Sequence, residues 1–272
     1  MPRLLLSLVF WALVATVVGA QSTYEDWVKE GMDALKEDSL MRAETCFRSA
    51  MQLRPAHAQN YQLYRYIAQI QEHRGQTDEA LESYTMGLNL KPDCEELRLD
   101  RAALYYRMGM NERAINDYSD VLDVHADNQE ALFIRAHLFT EKRDYKRARA
   151  DYESLLRLQP ADEKSMLGLA LLNDKDRRPR EAMEQMNTLI ALYPRHAMLY
   201  AVRGGMAQQR KQYETALLDM NKAIELEPRN ADFYVCRATL YLDMRKKKLA
   251  RQDAQMAVRL GADAKEMASM LK

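Results

Sequence analysis

The chain has 272 residues with only nine glycines and seven prolines, and it is rich in alanine, leucine and methionine. This composition excludes collagen-like and low-complexity chains and favours a helical globular protein. Forty lysines and arginines balance forty aspartates and glutamates, so the formal net charge is zero and gives no indication of nucleic-acid binding.

The first 20 residues differ in kind from the rest of the chain. Arg3 and the amino terminus precede an apolar run, Leu4–Val18, which is followed by small residues up to Ala20. This pattern is typical of a secretory signal peptide, whereas a membrane span needs about 20 apolar residues. We therefore predict cleavage after Ala20 and export of a mature chain that begins near Gln21, with an uncleaved anchor as the alternative.

The sequence leaves several destinations open for the exported chain. The mature sequence contains no Asn-X-Ser/Thr acceptor for N-glycosylation, which favours a bacterial periplasm. Secretion to the exterior and an endoplasmic reticulum lumen are the alternatives.

From residue 24 onwards the sequence repeats with a period of 34 residues. We number the positions of each row from 1 to 34 and start the seven rows near residues 24, 61, 95, 129, 163, 197 and 231. Position 20 is alanine in every row: Ala43, Ala80, Ala114, Ala148, Ala182, Ala216 and Ala250. Position 32 is proline in five rows: Pro55, Pro92, Pro160, Pro194 and Pro228. Such fixed-period similarity is typical of a solenoid.

Each row is predicted to form two amphipathic helices, helix A over positions 1 to 14 and helix B over about positions 18 to 30. Small residues at positions 8 and 20 allow close approach of the two backbones, and a bulky residue at position 24 fills the space against the next hairpin. Proline at position 32 ends helix B. Three extra residues after Pro55 are expected to lengthen a loop or the next helix. Residues 265–272 are predicted to form a short helix that caps the last hairpin.

These columns resemble the tetratricopeptide repeat. The resemblance rests on the alanine and proline columns, on the small residues at position 8 and on bulky residues such as Trp27, Phe47, Tyr84, Tyr118 and Tyr152. It covers residues 21–264 as seven repeats and is highly specific because all seven rows are in register. It implies an all-α fold, a right-handed superhelical solenoid of antiparallel helix hairpins.

Arginine at position 7 and aspartate at position 23 occur together. Both stand in rows three, four, six and seven, and both are missing from the other rows, as in row five with Leu169 and Gln185. We predict four ion pairs within rows that link helix A to helix B: Arg101–Asp117, Arg135–Asp151, Arg203–Asp219 and Arg237–Asp253. We interpret them as residues of the fold, with chance co-occurrence as the alternative.

The sequence contains no catalytic or metal-binding motif. HExxH, GxSxG and P-loop patterns are absent, and the cysteines Cys46, Cys94 and Cys236 lie too far apart in a solenoid to pair. We predict no catalytic residue, no metal, no cofactor and no small-molecule substrate. An enzyme, or a regulatory subunit of one, is the minor alternative.

The resemblance implies that the A helices line a concave groove in which positions 2, 5, 9, 12 and 13 meet a bound peptide. The Lys and Asn of family members that clamp chaperone carboxyl termini are missing from positions 5 and 9, so that activity is not implied. An apolar centre suits an extended or helical segment of a partner protein, although packing on neighbouring A helices is the alternative. The predicted groove residues are Arg65, Gln69, Leu99, Tyr106, Arg107, Phe133, His137, Leu167 and Leu171.

The turns between helices A and B form a second candidate surface. Positions 13 to 19 carry a net charge of +2, +2, +1 and +3 in rows four to seven, against 0, −1 and +1 in rows one to three. We call the cationic half the basic edge and assign to it Lys142, Arg143, Lys146, Arg177, Arg178, Lys246, Lys247 and Lys248. It suits an acidic partner or an anionic membrane surface, with ordinary solvated turns as the alternative.

Together these features predict a non-enzymatic scaffold or assembly factor that binds a peptide segment of another protein in its groove. The runner-up is an envelope-associated adaptor that docks through the basic edge. Nucleic acid is not expected as a partner of an exported chain.

Overall fold

A computed structural model describes residues 22–271, so the predicted signal peptide, residues 1–20, lies outside the described part of the chain. The described residues contain helices and turns but no strand. None of their helices is long and apolar enough to cross a membrane. The chain divides into two compact units at Val124, which we describe one at a time.

Unit 1 consists of three helix hairpins. Its helices are α1 (Tyr24–Lys36), α2 (Leu40–Leu53), α3 (Asn60–His73), α4 (Thr77–Leu90), α5 (Glu95–Arg107) and α6 (Asn111–Val124). Each odd-numbered helix packs on the next helix, and α2 and α4 also contact the hairpin that follows. Because only three residues join the two helices of a hairpin, they run antiparallel.

Unit 2 consists of four more hairpins and a short final helix. Its helices are α7 (Gln129–Glu141), α8 (Tyr145–Leu158), α9 (Glu163–Lys175), α10 (Pro179–Leu192), α11 (Ala197–Gln209), α12 (Tyr213–Leu226), α13 (Ala231–Asp243), α14 (Lys247–Arg259) and α15 (Ala268–Leu271). The same contact pattern recurs, and the A helices α7 and α9 also touch, as do α11 and α13. The helices therefore follow the predicted rows, with helix A one residue shorter than expected except α3, and helix B one residue longer than expected except α14.

Local sequence explains where the helices begin and end. Thr23 forms a capping box with Asp26 at the start of α1, and Asn128 and Asp162 cap α7 and α9 through their side chains. Every helix B before a position-32 proline ends two residues ahead of that proline. Pro179, at position 17 of row five and thus in the turn just before the predicted start of helix B, is instead the first residue of α10, where its missing N–H has no intrahelical partner to lose.

The repeat is irregular at the insertion after Pro55 and at the C-terminal cap. The extra residues after Pro55 are shared, because the connection from α2 to α3 has six residues against four between α4 and α5, and α3 is one residue longer than the other A helices. The predicted C-terminal cap is shorter than expected. It begins at Ala268 after a series of turns and packs on α14, with Met267 buried.

The columns of the repeat form the core of both units. All seven position-20 alanines are fully buried, as is Phe47 at position 24. Small residues are required where helices meet: a Cβ on Gly31 would lie 2.5 Å from the Phe47 ring, and a Cβ on Gly168 would lie 2.5 Å from the Tyr152 ring. Since interiors are close-packed, these contacts fix the distance between helices, within a hairpin at Gly31 and between two hairpins at Gly168.

Candidate functional site

Four predicted groove residues of unit 2 lie on two adjacent A helices. Phe133 and His137 are one turn apart on α7, and Leu167 and Leu171 are one turn apart on α9, so each pair shares a helix face. The two helices touch. Phe133, His137 and Leu167 are half-buried, and Leu171 is 39% exposed.

A recess opens beside Phe133. It has a volume of about 430 Å³ and is lined by apolar groups of α7 and α8, including Phe133, Ile134 and Leu155, and by polar groups near the start of α9. Ser165 stands at position 3 of row five, where rows three and six carry a leucine, and its smaller side chain leaves room there. The Ser165 hydroxyl is buried and has no hydrogen-bond partner among the described residues.

The helix A face also takes part in packing. The Phe133 ring meets the Tyr152 ring edge-on at 6.1 Å between centroids, and Leu167 packs against a buried cluster that includes Ala170 and Met186. Part of the apolar surface of this face is therefore used inside unit 2. The outer part, at Leu171 and at the recess, remains accessible.

In unit 1 the polar groove residues are bound by neighbouring carboxylates. Arg65 Nε and Gln69 Nε2 both donate to Asp100, at 2.6 and 3.0 Å, and Arg107 pairs with Glu72. Burial lowers the pKa of the Arg65 guanidinium, but the hydrogen bond and charge of Asp100 outweigh it, and the net shift is upward. The apolar pair Leu99 and Tyr106 is half-buried on α5.

The structure contains the four Arg–Asp pairs within rows. In each pair Nε and Nη2 of the arginine donate to the two carboxylate oxygens of the aspartate at 2.7–2.9 Å. The aspartates are buried and the arginine side chains are about one-fifth exposed. Bidentate pairing of this kind fixes the orientation of helix A against helix B.

Sequence analysis missed a second partner of three of these arginines, located on a third helix. Arg203 also donates to Asn187 and Arg237 to Asn221, each at 2.7 Å, and Arg101 donates to Thr85 at 3.1 Å. These acceptors occupy position 25 of the preceding row, so one guanidinium connects three helices. The signal was visible, because small polar residues stand at position 25 only before rows that carry the arginine.

Rows two and five, which lack the ion pair, use an amide instead. Asn173 at position 11 of row five donates to Gln185 at 2.8 Å, and Gln71 at position 11 of row two is hydrogen-bonded to Ser83 at 2.7 Å. Rows with the ion pair carry Tyr, Phe or Ala at position 11. Helix A is therefore fastened to helix B in these rows by neutral hydrogen bonds.

The turns between helices A and B share one geometry. In all seven, the N–H of position 16 donates to the carbonyl of position 11 at 2.7–2.9 Å, which is the Schellman arrangement. The residue at position 15 has a positive φ in every row. These residues are Asp38, Gly75, Gly109, Arg143, Arg177, Lys211 and Arg245, with φ between 57° and 73°.

The basic edge follows these turns. Arg143 and Arg177 are exposed at position 15, and Lys211 and Arg245, which sequence analysis did not assign to the edge, occupy the same position in the next two rows. Arg178 pairs with Asp176 at 3.0 Å. The remaining predicted edge residues are exposed: Lys142, Lys146, Lys246, Lys247 and Lys248.

Two carboxylates of this edge, Glu141 and Asp144, are bound by other cations. Lys175 binds Glu141 at 2.7 Å, and its hydrogen bond and charge lower the pKa of that carboxyl. Arg147 binds Asp144 at 2.6 Å and likewise lowers the pKa of Asp144. In the part of the chain that the structure describes, the four position-15 cations of rows four to seven take part in no ion pair.

The described residues include no group of three side chains that could hold a metal ion. Cys46, Cys94 and Cys236 are free thiols. Burial raises the pKa of the Cys94 thiol, which keeps it in its unreactive protonated form at neutral pH.

Comparison with known proteins points to one family. Tetratricopeptide-repeat family models match residues 99–163 and 220–252. The structure is similar to that of a tetratricopeptide repeat protein from Parabacteroides merdae ATCC 43184, with 29% identity and a TM-score of 0.71, covering 91% of this chain and 97% of that one. A comparison with curated proteins gave no match.

Two further solved structures share the fold at lower identity. MamA from Desulfovibrio magneticus RS-1 is 24% identical with a TM-score of 0.57, covering 62% of this chain and 95% of that one. TTC0263 from Thermus thermophilus is 19% identical with a TM-score of 0.53, covering 65% of this chain and 99% of that one. The matched segments, the consecutive helix hairpins and the likeness to the Parabacteroides merdae protein together support assignment of the chain as a tetratricopeptide-repeat protein.

Proposed function

We propose that the protein is a non-enzymatic scaffold that binds an apolar peptide segment of a partner protein on helix A of rows four and five. The observation that carries this proposal is the juxtaposition of Phe133, Leu167 and Leu171 on the touching helices α7 and α9, beside a recess of about 430 Å³. Solenoids of stacked hairpins present extended surfaces of this kind to their partners.

The chemistry of the site favours an apolar anchor with a polar flank. Phe133, Ile134 and Leu155 line one side of the recess, and a side chain the size of leucine or phenylalanine fits its volume. The buried Ser165 hydroxyl beside the recess lacks a partner, and a bound backbone carbonyl or amide would satisfy it.

We further propose that the protein acts outside the cytoplasm, preferably in a periplasm, after removal of residues 1–20. The support is the charge and apolar pattern of that segment. Cell fractionation combined with mass spectrometry of the amino terminus tests this part. A mature chain that begins at Gln21 in the envelope fraction supports it, and an intact Met1 in the cytosol contradicts it.

The binding test starts from the purified chain of residues 21–272. Peptides are selected from a random display library, and their dissociation constants are measured by fluorescence anisotropy. Leu171→Glu places a charge on the exposed apolar face without entering the core. Leu218→Glu is the matched control, because Leu218 is 70% exposed on α12, a B helix outside the site.

The expected result is that selected peptides share apolar residues and lose at least tenfold in affinity, about 1.4 kcal/mol, for Leu171→Glu but not for Leu218→Glu. Circular dichroism of both variants verifies that they are folded. Equal affinity for the wild type and Leu171→Glu contradicts binding at this face.

A further inference from the structure

The cations at position 15 of rows four to seven stand where the backbone disfavours them. Arg143, Arg177, Lys211 and Arg245 have φ between 57° and 60°, in the left-handed region that glycine occupies without steric cost. The same chain places Gly75 and Gly109 in the equivalent turns of rows two and three. Row one has Asp38 at this position, and four consecutive rows have a cation there although glycine fits the backbone better, which points to a role for the cationic side chains themselves.

The first turns of two B helices add a second unfavourable feature. Lys247 and Lys248 begin α14, Lys146 and Arg147 lie in the first turn of α8, and neither first turn contains an acidic residue. Cations are unfavourable at a helix N-terminus, which carries a partial positive charge. In unit 1 the corresponding turns of α4 and α6 do carry acidic residues. The first turn of α2 also lacks an acidic residue but contains a single cation, Arg42, whereas first turns with two cations occur in α8 and α14 alone among the described B helices.

The basic edge also contains a cavity between two of its turns. A polar cavity of about 560 Å³ lies between the turns of rows four and five, with Arg143 and Arg177 on its two sides and Tyr145 in its wall. Glu141 and Asp176 line it as well, but Lys175 binds the first, and Arg149 and Arg178 bind the second. The two position-15 guanidinium groups are therefore the ones left for an incoming anion.

We propose that Arg143, Arg177, Lys211 and Arg245 form a binding track for an extended acidic polypeptide segment that runs along the A-to-B turns of rows four to seven. This surface is separate from the helix A face of the proposed function. Arginine, at three of the four positions, binds carboxylates with two parallel hydrogen bonds. One cation is available from each row.

The distance between neighbouring rows determines the length and the acidic spacing of the polypeptide segment that the track would bind. The A helices α7 and α9 touch, as do α11 and α13, and packed helices lie about 8–10 Å apart. A segment in the polyproline II conformation advances about 3.1 Å per residue with three residues per turn, so every third side chain points to the same side and meets the next row. The track therefore fits a segment of about ten residues with an acidic side chain at every third position. A membrane surface has no such periodicity, so the regular track and its recess favour a polypeptide.

The test uses a fluorescein-labelled peptide of about twelve residues with glutamate at every third position and serine between. A second peptide has the same composition with its glutamates in one block. The chain of residues 21–272 is titrated at low and at physiological salt. The edge variant carries four substitutions to glycine: Arg143→Gly, Arg177→Gly, Lys211→Gly and Arg245→Gly. In a matched control, four exposed cations away from the track are neutralised: Arg195→Gln, Arg229→Gln, Arg251→Gln and Lys265→Gln.

The periodic peptide is expected to bind at least threefold tighter than the blocked peptide and to weaken as salt rises. The edge variant is expected to lose at least tenfold in affinity for the periodic peptide, and the control variant less than threefold. Leu171→Glu is expected to bind it as the wild type does, which separates this track from the helix A face.

Three outcomes overturn the proposal. One is equal binding by the edge variant and the wild type, and another is an equal loss in the edge and control variants, which would reduce the effect to net charge. The third is recruitment of the wild type to phosphatidylcholine vesicles containing phosphatidylserine, abolished in the edge variant, without binding of either peptide. That result would assign the track to a membrane surface.

Discussion

Unit 2 uses arginine in two regions with opposite consequences. At the interface of helices A and B, Arg203 is about one-fifth exposed and binds both oxygens of Asp219 and the amide oxygen of Asn187. At the turn edge, Arg143 and Arg177 are exposed, have positive φ and take part in no described ion pair. The first kind of arginine holds the hairpins together, whereas the second adds strain to the fold. Residue type alone does not separate these roles, and burial and backbone conformation do.

The largest expected effect comes from removing an interface arginine. Arg203→Leu leaves the buried Asp219 carboxylate without its partner and is expected to lower the free energy of unfolding by about 3 kcal/mol, as for other broken buried pairs. Urea denaturation followed by circular dichroism measures this. A loss below about 1 kcal/mol would show that Asp219 finds water or another donor.

The matched control for Arg203→Leu replaces the ion-pair residues of row six with the hydrogen-bonding residues of row five. The triple variant Arg203→Leu, Ala207→Asn and Asp219→Gln reproduces the residues at positions 7, 11 and 23 of row five, where Asn173 and Gln185 are hydrogen-bonded. It is expected to recover at least half of the loss, because no charge remains buried without a partner. Triple and single variants that are equally unstable would contradict the equivalence of the two networks.

A second contrast concerns two helix glycines of unit 2. Gly168→Ala brings a Cβ to 2.5 Å from the Tyr152 ring and is expected to cost about 1–2 kcal/mol through overpacking. Gly205→Ala meets open space and is expected to gain up to about 1 kcal/mol from helix propensity. Thermal unfolding of the two variants is the measurement, and a shift in the same direction for both would contradict the packing described around Tyr152.

At the turn edge, glycine is expected to be tolerated or favourable. Arg143→Gly relieves left-handed strain of about 1 kcal/mol, and the greater freedom of the unfolded chain offsets about 0.4–1 kcal/mol of this gain. The free energy of unfolding of Arg143→Gly is therefore expected to exceed that of the wild type by between zero and about 0.5 kcal/mol. The reverse change, Gly75→Arg in unit 1, introduces the strain and is expected to lower the urea midpoint. A higher midpoint for Gly75→Arg would contradict the strain argument.

The smallest expected effect depends on pH. The side-chain and backbone hydrogen bonds of Arg147 lower the pKa of Asp144 in the folded state. This stabilisation is present above the unfolded pKa of about 3.9 and is lost as the pH falls through the lower folded-state pKa. At this exposed site the interaction of Asp144 with Arg147 contributes at most about 0.5 kcal/mol to the free energy of unfolding. The stability difference between the wild type and Asp144→Asn should therefore narrow between pH 7 and pH 3, and a constant difference would contradict the assignment.

Much of the fold follows from the sequence because the repeat fixes distances along the chain. Two residues 16 positions apart, such as Arg203 and Asp219, face each other in every hairpin, so their co-occurrence was enough to predict the pairs. The glycine-like role of position 15 was harder to recognise because arginine or lysine fills it in four rows. The position-25 acceptors were missed because they lie in the preceding row. The recess beside Phe133 depends on side-chain volumes at Ser165 and its neighbours, which a column pattern does not contain.

The central claim is that the two sets of arginines serve different purposes, the fold in one case and a partner in the other. The most direct test is urea denaturation of the edge variant, with its four glycine substitutions, beside Arg203→Leu and the wild type. We predict an unchanged or higher midpoint for the edge variant and a clearly lower midpoint for Arg203→Leu. A midpoint for the edge variant as low as that of Arg203→Leu would show that the turn cations hold the fold, and it would contradict the account.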